Sequence, residues 1–104
     1  MKTIRKLLAA AALSVLAAPA VSQTGAITRL DTANVGGGDV RVYIGGISTG
    51  LCGPSTTPFG YLNVKDTNFN AMYQMLLHAR DTNRPVTLST VDVSGACHIY
   101  YIQY

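Results

Sequence analysis

The 104-residue chain has no glutamate and no tryptophan, only two cysteines and two histidines, and charge on just 12% of its residues. Acidic groups are limited to five aspartates, Asp31, Asp39, Asp66, Asp81 and Asp92, scattered among predicted turns and helix ends. That distribution offers no paired carboxylates for acid–base catalysis and no oxygen cluster for calcium. Two cysteines and His98 are too few ligands, at the wrong spacing, for a zinc site, so no metal or other cofactor is expected. Long apolar runs are missing as well: the longest, residues 7–18, has twelve members. A membrane-crossing helix needs about 20, so stable membrane insertion is not expected. The length allows one small domain and excludes a two-domain enzyme or a doubly wound nucleotide binder. With 48% hydrophobic residues, the chain is not of the disordered class.

The amino-terminal stretch has the three-part plan of a secretory signal peptide. Lys2, Arg5 and Lys6 precede the run LLAAAALSVLAA, and Pro19 and small residues follow. We assign residues 1–22 to this signal, with cleavage after Ala20 or after Ser22; a buried amino-terminal helix is the alternative. No cysteine follows the run, so no lipid attachment is expected. The protein is therefore expected to be secreted or periplasmic. Export also changes the meaning of the formal charge of +3. Beyond residue 22, five positive residues (Arg29, Arg41, Lys65, Arg80, Arg84) face the five aspartates, leaving zero. A neutral domain has no electrostatic footprint for phosphate backbones, so nucleic acid is not an expected partner.

Both cysteines, Cys52 and Cys97, lie in the exported part, where an even count reads as one disulfide. Closing a loop of about 46 residues removes roughly 4 kcal/mol of unfolded-state entropy. A catalytic thiol would instead need a base beside an exposed thiolate.

Residues 23–104 read as a single domain of strands, one helix, then strands. Residues 26–32 and 40–44 (VRVYI) flank a glycine-rich turn at Gly36-Gly37-Gly38-Asp39 and form a hairpin. Residues 45–58 form a Gly/Ser/Thr/Pro loop, and residues 61–64 a short third strand. Asp66-Thr67-Asn68 offers N-cap chemistry for a helix over residues 69–80, which Pro85 terminates. Residues 86–91 and 96–104 are strands joined through Ser94-Gly95.

The helix carries an apolar arc of roughly 200°, twice what one core contact needs. Either a neighbouring subunit or the 45–58 loop covers the excess. In the last strand one parity carries Cys97, Ile99 and Tyr101, the other His98, Tyr100, Ile102 and Tyr104. Both faces are therefore largely apolar or aromatic, unlike those of a half-exposed strand. Tyr100, Tyr101 and Tyr104 are accordingly the candidate ligand-binding or subunit-contact residues.

Gly46-Ile47-Ser48-Thr49-Gly50 spells G-x-S-x-G, the nucleophile elbow of serine hydrolases. The elbow works on a strand-to-helix turn of a large sheet, whereas a Gly/Pro loop follows here, so no enzyme is expected. Gly36-Gly37-Gly38 lacks the lysine and helix of a phosphate loop.

The order β-β-β-α-β-β, mainly β with one helix, is that of an OB-type small barrel. In layout, and in the pattern NFNAMYQMLLHARDTNRPVTLSTV with Cys52 before it and Cys97 after, the chain resembles the B (binding) subunits of AB5 toxins of the subtilase-cytotoxin and pertussis-like type. The resemblance implies a homopentamer with helices around a central channel, a face that binds host-cell glycans, and a secreted enzymatic subunit as partner. The alternative is a monomeric periplasmic structural or inhibitor-like protein that binds another protein through a sheet edge.

Overall fold

A computed structural model describes residues 20–47 and 49–104. Residues 1–19, most of the expected signal peptide, and Ser48 of the elbow motif lie outside the described residues. Among the described residues, six strands and one helix follow in chain order: β1 (Val21–Gly25), β2 (Ile27–Ala33), β3 (Asp39–Ile44), β4 (Gly60–Asn63), α1 (Phe69–Asp81), β5 (Val86–Val93) and β6 (Ala96–Gln103). They form one sheet in the order β1-β5-β6-β4-β3-β2. Neighbours are antiparallel except β4 and β6, which run parallel through Gly60↔Cys97 and Tyr61↔His98.

The two edge strands, β1 and β2, are consecutive in the chain and separated only by Ala26. No ladder closes the sheet between them; a single bent stretch of backbone joins one edge to the other. Counted as one bent strand, they give the connectivity expected of an OB-type barrel, with the helix between the third and fourth strands. The bend is tight. Ala26 accepts a hydrogen bond from the Gly45 amide at 2.8 Å, and a Cβ on Gly25 would stand 2.7 Å from the Gly45 carbonyl oxygen.

Local chemistry explains the turns. Gly36, Gly37 and Gly38 all take positive φ in the β2–β3 connection, where L side chains are strained. Ser94 and Gly95 both have positive φ in a two-residue loop that matches the twist of β5 and β6, and Asp92 Oδ1 accepts the Gly95 amide at 2.7 Å.

Helix α1 buries Met72, Leu76 and Ala79 against the sheet. Its start differs from the sequence expectation. Asn68 occupies the N-cap position without a side-chain cap bond, and the Asp66 carboxylate is engaged by the Asn63 amide and by His98. The end is a Schellman arrangement: Asn83, at φ 54°, donates to Arg80 O, and Arg84 donates to Ala79 O. Among the described residues, no helix is long and apolar enough to cross a membrane.

The core combines Val40, Val42 and Ile44 of β3 with Leu62, Val86, Leu88, Ile99 and Ile102, and with Leu51 from the long loop. That loop is tied down by the Cys52–Cys97 disulfide, both of whose cysteines are buried. It is also held by the Thr57 amide, which donates to Gly95 O at 2.9 Å.

A β-bulge corrects the expected parity of β6. Thr90 pairs with Ile99 while the neighbouring Ser89 pairs with Tyr101, so Tyr100 is the extra residue. Cys97, Ile99 and Ile102 are therefore all buried, whereas Tyr100 and Tyr101 are both exposed. The inward face is apolar throughout, and the two-sided character read from strict alternation disappears.

Candidate ligand-binding face

On β3 the residues alternate: Val40, Val42 and Ile44 point inward, and Asp39, Arg41 and Tyr43 share the opposite parity. Register carries this outer row across four strands, as Asp31↔Arg41↔Tyr61↔His98. Side chains opposite one another in such ladders lie close enough to interact directly.

The result is a surface of alternating cations and rings. The Arg29 guanidinium sits 4.1 Å from the centre of the Tyr43 ring, and Arg41 sits 4.8 Å from that of Phe59. Tyr43 and Phe59 lie 5.4 Å apart, and Tyr61 stacks on His98 at 4.9 Å. Each arginine has an aspartate partner: Arg29 with Asp31 at 2.8 Å, and Arg41 Nε with Asp39 Oδ2 at 3.3 Å. His98 Nε2 is anchored to both oxygens of Asp66, at 2.9 and 3.1 Å.

Asp39, Arg41, Phe59, Tyr61 and Asn63 line a cavity of about 330 Å³ on this face. The Asp39 side chain is only 7% exposed, and its Oδ1 is buried with no hydrogen-bond partner among the described residues. Burial, and then the negative charges of Asp66 and Asp39, push the Tyr61 phenol above its ordinary pKa. It is therefore a neutral hydroxyl at physiological pH, able to donate as well as accept. The hydrogen bond and charge of Asp31 likewise raise the already high pKa of the Arg29 guanidinium.

These groups can hold a compact polar ligand with at least one flat apolar face. Rings supply stacking surface, Arg41 and Asn63 donate, and Asp39 holds the Arg41 guanidinium in place. Because each arginine is paired with an aspartate, the face carries no excess positive charge for a phosphate chain. Among the described residues, no group of three or more His, Cys, Asp or Glu could hold a metal ion.

The three tyrosines singled out from the sequence lie elsewhere and make no ring contact with one another. Tyr100, at the bulge, borders a second cavity of about 300 Å³ with Asp66, Thr67, Asn68, Met72 and His98. Tyr101 stands opposite Ser89 on β5. Tyr104 belongs to the end of the helix, 5.8 Å from the His78 ring and with Arg84 5.0 Å from its own ring centre. Around the elbow motif, the chain from Thr49 to Phe59 forms turns and bends, not the helix that the motif requires.

Sequence reasoning missed the Arg41–Phe59–Tyr61 group. A signal existed in the alternate spacing of Arg29/Asp31, Arg41/Tyr43 and Phe59/Tyr61, but only the register places these pairs side by side. Comparison with protein-family models, with curated proteins and with solved structures gives no match.

Proposed function

We propose that the protein is an exported, non-enzymatic binding module that seats a sugar ring of a glycan in the cavity between Arg41, Phe59 and Tyr61. The supporting observation is the combination of flat ring walls, Phe59 and Tyr61, with the polar groups of Arg41 and Asn63 on the same cavity. A sugar offers hydroxyls on its rim for the polar groups and C–H groups on its face for the rings. The balanced charge of the surface favours a neutral ring over a phosphate.

An AB5-like assembly extends this reading. Phe69, Tyr73, Met75 and Leu77 on α1 are only partly buried in the single chain, and five such helices around a channel would cover them. In that arrangement a separate secreted enzymatic subunit would be the cargo, and the sheet face would contact the host-cell glycan.

A glycan array probed with the exported protein tests the site. Binding is expected, with a loss of roughly tenfold or more for Arg41→Ala, as for a hydrogen bond to a charged group. Phe59→Ala should weaken it similarly. A silent array, with a protein partner recovered through the β1 edge, would favour the inhibitor-like alternative. Retained binding in both variants, with loss in Tyr100→Ala or Tyr104→Ala, would move the site to the carboxy-terminal tyrosines.

A further inference from the structure

We infer that export processing cuts the chain between Ala20 and Val21, an inference that rests on the export part of the proposed function. Small residues stand at the required positions for both Ala18-Pro19-Ala20 and Ala20-Val21-Ser22, so the sequence leaves two sites open. The fold distinguishes their products.

Strand β1 begins at Val21, and its first two residues make two of its five pairings, Val21↔Thr90 and Ser22↔Ser89. They also serve two buried side chains. The Ser22 and Ser89 hydroxyls are hydrogen-bonded at 2.8 Å, and the Thr90 hydroxyl donates to the Val21 carbonyl at 3.4 Å. Ser89 is 7% exposed and Thr90 0%. Among the described residues, these are the hydrogen bonds that the two side-chain hydroxyls make. Buried hydroxyls are destabilising when left unpaired. Cleavage after Ser22 would remove both partners and shorten β1 to Gln23, Thr24 and Gly25. Ala20 is exposed and outside the strand, so cleavage there leaves the sheet complete.

The step is an amide hydrolysis performed by the signal peptidase on the extended chain. The bond between the Ala20 carbonyl carbon and the Val21 nitrogen breaks. Water supplies the hydroxyl that completes the Ala20 carboxyl group and the proton that completes the Val21 amine. The mature protein then keeps every β1 pairing.

Expression of the full chain in an exporting bacterium, followed by intact mass and amino-terminal sequencing of the exported protein, tests the assignment. Val21 is the expected first residue. Gln23 would overturn the inference while leaving export standing; a chain that retains Met1 would overturn the export premise and the inference with it. Chains made to begin at Val21 and at Gln23 give a second readout. The shorter form should melt lower by roughly 5 °C or more, and equal melting temperatures would overturn the structural basis.

Discussion

Gly25 and Gly45 meet where the bent strand turns from β5 toward β3, and the space between them is set by one missing methyl group. A Cβ on Gly25 would approach the Gly45 carbonyl oxygen to 2.7 Å, and that atom is backbone that cannot rotate away. A Cβ on Gly45 meets its nearest neighbour only at 3.7 Å, an ordinary contact. Gly25→Ala should therefore lower stability by about 1–3 kcal/mol, the usual range for forced overpacking. Gly45→Ala should leave the melting temperature nearly unchanged. Thermal unfolding of the two variants checks this, and equal effects would mean that the bend relaxes freely. Asp39 illustrates a different economy at the same scale. Its Oδ2 is held by Arg41 while Oδ1 stays buried and unmet, a cost tolerated beside a cavity and rare elsewhere.

At the level of elements, α1 is shaped more by its end than by its beginning. Without a side-chain cap at Asn68, its boundary is set by Asn83 in the left-handed region and by the two backbone bonds that close the Schellman turn. Asn83→Val should cost about 1–2 kcal/mol, since a β-branched residue resists that conformation, while Asn83→Gly should not lower stability. Denaturant midpoints of the two variants would show the contrast. The helix and strands β2 to β6 are all legible in the sequence, because apolar spacing, Gly36-Gly37-Gly38, Asn83-Arg84-Pro85 and Ser94-Gly95 mark them locally. Strand β1 is not: VSQTG has a single β-branched aliphatic residue, and its pairing partners lie far along the chain. The orientation of Tyr101 and Ile102 departs from simple alternation for a related reason. A bulge is a property of two strands in register, and one strand's alternation does not reveal it. The binding face was hidden likewise, since Phe59 lies just outside β4 and meets Arg41 only across the sheet.

For the molecule as a whole, the Cys52–Cys97 bridge joins positions 45 residues apart and anchors a loop that brings Leu51 into the core. By the entropy of loop closure it contributes roughly 4 kcal/mol, a large part of what a domain of this size holds in reserve. Assembly is the open property at this scale. Light scattering of the protein should give about five times the protomer mass if the AB5-like arrangement holds, because a helix flanked by Phe69, Tyr73 and Leu77 gains by burial against copies of itself. A monomer mass would remove the pentamer and leave the binding face as a stand-alone site.

The bent β1–β2 stretch also governs the order of events when the protein folds. It opens the sheet in chain order, yet the Val21 carbonyl finds the Thr90 hydroxyl 69 residues later. Pairing at such separation is slow, because loop-closure entropy must be met before the contact rewards it. Completion of the sheet thus waits for β5, and β1 is the strand that docks last.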